Sequence, residues 1–164
     1  MSRAKSGIVA NLIVIVCLVP VLLSANDKWT TPAGRDRCPV CGMFVSPYAD
    51  WNAVIEFRDA ERLVFDGPKD MFRYLLNMKK YNPSKSVSDV LEVTVKDYYT
   101  KKAADARKSY FVIWSDVYGP MGHEPIPFEK EADAKEFLRE HKGKAILKFS
   151  GITRKLILSL DNPE

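Results

Sequence analysis

The chain has only three cysteines among its 164 residues, and no glycine-rich phosphate loop or nucleophile elbow. It also has no basic run interleaved with aromatic residues, which argues against nucleic acid as a partner. Its longest apolar run, Ile8 to Leu23, is roughly 16 residues, broken by Pro20 and short of the ~20 that span a bilayer comfortably. Asp66, Asp70, Asp97 and Asp116 are scattered through the sequence without a nucleophile or second carboxylate in catalytic register. These absences leave no catalytic constellation and point away from a self-contained enzyme.

What is present begins with that apolar run. Arg3 and Lys5 precede it, and Ser24-Ala25 then lead into the polar Asn26-Asp27-Lys28. This is the layout of a secretory signal peptide, with an uncleaved N-terminal anchor as the alternative for residues 1–25. Membrane association, if any, would come through this segment. Residues 26–37 read as a linker. Removing residues 1–25 takes away two basic residues and no acidic ones, so the remainder carries about +2. With 46% hydrophobic residues over the whole chain, the remaining ~139 residues can bury a core.

Cys17 lies inside the leader. Only Cys38 and Cys41 remain, in Cys38-Pro39-Val40-Cys41-Gly42-Met43, two thiols and a thioether within six residues. Such soft donors select cuprous ion over most competitors. A second cluster, Met121-Gly122-His123, stands far away in a loop rich in glycine and proline. Thioethers add affinity without releasing protons, and ligands held on loops can be exchanged with a partner.

Other readings of these residues remain open. Cys38 and Cys41 could form a disulfide or serve a thiol–disulfide oxidoreductase, although no strand precedes them as a thioredoxin-like site requires. They could join His123 and His141 in a structural zinc module. Met71 and Met78 are at helical spacing and read as core. Asp66 reads as a helix N-cap and Asp70 as a residue favouring the helix dipole.

The pattern of apolar residues predicts an α+β fold. Strands are expected over Ala53–Phe57 and Arg62–Phe65 with a turn between them, then a helix opened by Asp66-Gly67-Pro68, then a strand over Leu91–Val95. The order recurs with a strand at Tyr110–Trp114, the segment Pro125–Phe128, a helix over Lys130–His141 and a strand over Ala145–Phe149. The simplest account is two tandem ββαβ units, residues 38–99 and 108–160, joined near Tyr99 to Arg107. Each would pack a helix on a small, largely antiparallel sheet.

Three stretches together resemble the nitrous oxide reductase accessory protein family, NosL. They are Cys-Pro-Val-Cys-Gly-Met-Phe at 38–44, Phe-Asp-Gly-Pro-Lys-Asp-Met-Phe at 65–72, and Ser-Asp-Val-Tyr-Gly-Pro-Met-Gly-His-Glu-Pro-Ile-Pro-Phe at 115–128. The resemblance implies a periplasmic Cu(I) chaperone. Its recipient would be nitrous oxide reductase, or that enzyme's membrane maturation complex, in denitrification. The family's Cys-x-Met element falls on Cys41 and Met43, and its Met-Gly element on Met121 and Gly122. Cys38 and His123 match only some members, which ranks Cys41, Met43 and Met121 first among the metal ligands. Family members are usually lipoproteins. Here Val14-Ile15-Val16 stands where small residues should precede a lipid-bearing cysteine, so lipid attachment is not carried over.

Overall fold

The computed structural model describes residues 34–161. The leader, Cys17 and residues 26–33 lie outside the described residues. Among the described residues, no helix is long and apolar enough to cross a membrane.

The first sheet is built from β1 (Ala53–Phe57) and β2 (Arg62–Phe65), paired antiparallel from Ala53↔Phe65 to Glu56↔Arg62. Four of the five residues of β1 are buried, as expected of a strand flanked on both edges. Helices α1 (Pro68–Leu75) and α2 (Met78–Tyr81) follow. Pro68 occupies the first turn of α1, where its missing N–H costs nothing. Met71, Phe72, Tyr74 and Met78 all point into the core.

Strand β3 (Val90–Lys96) pairs with the other edge of β1, and β4 (Ala103–Asp105) extends the sheet, giving the order β2-β1-β3-β4. The segment expected to be a plain connection therefore contains a strand. The turn before it is closed by Asp97, whose carboxylate accepts hydrogen bonds from the backbone N–H groups of Tyr99 and Thr100 and from the Thr100 hydroxyl. The other Asp97 oxygen takes the Glu129 N–H, fastening the second half to the first. Asp97 is a buried structural carboxylate.

The second sheet centres on β5 (Tyr110–Ile113). A two-residue hairpin follows: β6 (Tyr118–Gly119) and β7 (Gly122–His123) pair across Pro120 and Met121. Gly122, the residue that resumes pairing after the turn, has φ +84°, a left-handed value glycine adopts without steric cost. Then come β8 (Ile126–Phe128), α3 (Glu131–Glu140) and β9 (Ala145–Lys148), in sheet order β8-β5-β9, all antiparallel. Helix α4 (Arg154–Ser159) closes the described chain, capped by the Thr153 hydroxyl, which accepts from the Leu156 N–H. The fold is thus α+β with antiparallel sheets.

The alternation along β5 joins the halves. Phe111 and Ile113 face the large core under α1, where Phe111 meets Phe72 edge-on at 5.1 Å. Val112 faces the smaller core with Ile126, Phe128, Ala134 and Phe137 beneath α3. Each such fully buried side chain contributes about 1.5–3 kcal/mol. A one-residue slip of β5 would turn Phe111 and Ile113 away from the large core and Val112 away from the smaller one.

Candidate metal site

The Cys-x-x-Cys segment forms a knuckle between Arg37 and Phe44, which are joined by an isolated antiparallel bridge. The Cys38 N–H donates to the Met43 carbonyl at 2.8 Å, and the Gly42 N–H donates to the Cys38 carbonyl at 2.9 Å. The return needs a left-handed residue, supplied by Gly42 at φ +78°. Outside, the Arg37 guanidinium covers the Phe44 ring at 3.8 Å and donates to the Gly42 carbonyl. The backbone thereby turns both thiols inward. Cys38 is buried, Cys41 half-buried, and both are free thiols.

The knuckle sits against the start of α1. Cys41 Sγ donates to Asp66 Oδ2 and Cys38 Sγ to Asp70 Oδ2, each at 3.5 Å. One ligand atom from each of Cys38, Cys41, Asp66 and Asp70 lies within 4.8 Å of the other three. Both carboxylates are fully buried; Asp66 Oδ1 has no hydrogen-bond partner, while Asp70 Oδ1 makes no hydrogen bond but faces the Arg73 guanidinium at 3.4 Å. Buried oxygens without partners cost free energy, and a bound cation is one way to satisfy them.

The electrostatics agree. Burial, reinforced by the neighbouring Asp66 charge, pushes the Cys41 thiol up to about 11, and burial pushes Cys38 higher still. Burial and Asp66 also raise Asp70. The empty site therefore holds its protons tightly, and a metal taken up as thiolate complex must displace them. A redox-active Cys-x-x-Cys needs the opposite, a nucleophilic thiol of lowered pKa, so this environment disfavours the oxidoreductase reading.

Asp66 corrects the sequence expectation, whereas Asp70 stands in the first turn of α1 as expected. The N-cap of α1 is Gly67, which has no side chain to cap with, and Asp66 receives a thiol instead. The helix start is served from the other half of the chain: Glu124 Oε2 accepts the Lys69 N–H at 2.7 Å. Gly67 leaves room for this carboxylate, since a Cβ there would sit 3.0 Å from Glu124 Oε1. Burial lifts Glu124 to about 8, with Asp66 and Asp70 adding to the shift and Lys69 opposing it.

Lys69 is the main tie between the halves. Its buried ammonium donates to the Met121 carbonyl and pairs with Asp161 at 3.2 Å. Arg73 pairs with Asp161 at 2.7 Å and with Asp70 at 3.4 Å. Met121, half-buried at the tip of the β6–β7 hairpin, is thus fastened by its backbone carbonyl to Lys69 of α1. Met43 is half-buried in the knuckle itself.

The histidines stand outside the four-donor cluster. His123 is packed between Trp114 and Tyr118, with ring centres at 5.1 and 4.7 Å, and its Nδ1 is buried without a partner. His141 caps the C-terminal end of α3, shares a hydrogen bond with Asp116 at 3.1 Å and stacks on Phe137. The expected zinc set of Cys38, Cys41, His123 and His141 does not form. The signal for the carboxylates was present in Phe65-Asp66-Gly67-Pro68-Lys69-Asp70, where charged residues interrupt an otherwise apolar, buried stretch.

Among curated proteins none matches this chain. Its fold is similar to that of the crystal structure of the copper chaperone NosL from Shewanella denitrificans, with a TM-score of 0.65 and 23% sequence identity. That match covers 79% of this chain and 98% of the other. The solution structure of apo-NosL from Achromobacter cycloclastes aligns at a TM-score of 0.45 and 23% identity, over 64% of this chain and 87% of that one. The NosL family model matches residues 30–157, and the chain therefore belongs to the NosL family.

Proposed function

We propose that this protein is a periplasmic Cu(I) carrier, non-enzymatic in role, which delivers copper for the copper-sulfide centre of nitrous oxide reductase, directly or through the membrane maturation complex. The observation that carries the reading is the convergence of both motif thiols on the start of α1, the helix whose Lys69 also ties the Met121 carbonyl. Family membership and the copper chaperone of similar fold support it.

In this reading Cys41 is the exchangeable thiolate and Cys38 the buried one. Met43 and Met121 supply thioethers from the knuckle and the hairpin, and His123 is an accessory donor. Carboxylates are hard donors that suit Cu(I) poorly. Asp66 and Asp70 instead accept the thiol hydrogens of the metal-free protein, and those protons leave to solvent when thiolates form. Drawing donors from residues 38–99 and 108–160 couples metal occupancy to the placement of the two units.

The test is an anaerobic titration of the reduced protein with Cu(I) against a chromogenic chelator, with Zn(II) as competitor. Near-stoichiometric binding that zinc cannot displace, weakened in Met121→Leu and lost in Cys41→Ser, supports the carrier. Preferential Zn(II) binding to the two thiols and two carboxylates, indifferent to Met121→Leu, would instead identify a zinc site.

A further inference from the structure

Beside Cys41 the surface opens into a cleft of about 360 Å³ between α1–α2 and α4. Of the four clustered donors, only Cys41 lines it; Cys38, Asp66 and Asp70 are sealed behind. A ligand that enters this cleft to exchange with a metal held at the site meets Cys41 first.

The walls specify the visitor. Arg73, Lys80 and Arg154 line the cleft, against one acidic residue, Asp161. That carboxylate is already engaged by Arg73 and Lys69, and both cations hold it well ionised against the burial that would raise its pKa. Lys80 and Arg154 are exposed, on opposite sides of the cleft, in α2 and α4. Leu76 and Leu158 are large apolar side chains left exposed on the same rim. The cleft is thus cationic with an apolar edge, and concave rather than flat. An extended acidic segment carrying an apolar residue matches it in sign and shape.

We infer that this cleft docks an acidic, apolar-containing segment of the protein that exchanges copper with this chain, an inference that rests on the carrier reading. In the exchange, the partner's thiol or thioether sulfur binds Cu(I) as the bond to Cys41 Sγ breaks. The metal remains Cu(I) throughout, and an incoming thiol's proton ends on the released Cys41 thiolate. The cationic walls concentrate the acidic segment at Cys41, the thiol that lines the cleft.

The probes are two labelled eight-residue peptides, one of Asp, Glu and Leu around a central Met, the other with Lys in place of each acid. Fluorescence polarisation reads their binding to the metal-free protein, and stopped flow reads Cu(I) transfer from the loaded protein. The variant is K80E/R154E, two exposed positions away from the donors, with its fold checked by circular dichroism. The acidic peptide is expected to bind and to accept copper, with both affinity and transfer rate falling about tenfold or more in the variant and in high salt. Chelator-measured Cu(I) affinity should be the same in both proteins. Equal binding of the two peptides, or no change in K80E/R154E, overturns the inference. So does binding to phosphatidylglycerol-rich vesicles without peptide binding, which would assign the face to a membrane. If the protein binds no Cu(I), the carrier reading fails, while peptide binding to the metal-free protein still reports on the cleft.

Discussion

The number of thiols that hold the metal can be read from the pH dependence of Cu(I) binding. In the empty fold Cys41 titrates at about 11 and Cys38 above it, both raised chiefly by burial. Between about pH 7 and 9 each thiol is therefore protonated before the metal arrives and deprotonated after, so each ligating thiol releases close to one proton. The apparent affinity should rise with pH, by about tenfold per pH unit for each thiol bound. With Cys38 and Cys41 both ligating, the wild type gains about 100-fold per unit, and Cys38→Ser gains about tenfold. Proton competition at Cys41 alone weakens binding at pH 7 by about four decades relative to the thiolate. The assay is chelator competition across the window, paired with calorimetry in buffers of different ionisation enthalpy to count protons directly. A wild-type slope of one would remove Cys38 from the ligand set. A slope of zero would refute thiolate ligation and the reasoning from burial together.

Three further outcomes follow from the packing. Lys69→Met strips the buried ammonium from the Met121 carbonyl and from Asp161, which Arg73 still holds, and urea unfolding should show a loss of about 1–3 kcal/mol. Glu124 titrates at about 8, above its unfolded value, so the fold holds the proton more tightly. Stability should then be full below the unfolded value and decline as pH rises toward 8, by up to roughly 1.4 kcal/mol per unit. Glu124→Gln should flatten that slope in denaturation curves at several pH values, and parallel curves would contradict it. Phe137→Ala empties the centre of the smaller core, where Phe137 meets Tyr98 at 4.9 Å and Phe128 at 5.0 Å. It should cost about 3–5 kcal/mol in thermal or urea unfolding while leaving Cu(I) affinity of the folded protein unchanged.

The strands with long apolar runs were legible in the sequence. Ala53–Phe57 and Arg62–Phe65 occur where expected, and the helix expected over Lys130–His141 spans Glu131–Glu140. The strand expected to reach Trp114 stops at Ile113, because Trp114 has φ +60° and cannot continue a pleat. Strand β4 escaped notice because Ala103–Asp105 is three residues long and has little apolar weight; it is created by pairing with β3. Helix α4 was missed as well, though Thr153 and the run after it give a usable capping signal.

The two thiols were legible because Cys-x-x-Cys is local. The carboxylates were not, because capping is the commoner fate of acids at a helix start. Only tertiary placement shows that Glu124, 55 residues further on, has taken over the α1 terminus and released Asp66 to the thiols. The same holds for Lys69, whose partners come from Met121 and Asp161.

The thiol-to-carboxylate hydrogen bonds also bear on how long the unloaded protein lasts. In an oxidising environment neighbouring thiols are consumed by oxidation, which proceeds through the thiolate. At pH 7 a thiol titrating at about 11 is ionised in roughly one molecule in 10⁴, against a few per cent for an ordinary cysteine. Greater intrinsic nucleophilicity at high pKa returns about half of that difference, leaving a net slowing of about one decade. Burial of the two thiols, with Asp66 and Asp70 adding a smaller share, thus extends the lifetime of the reduced pair.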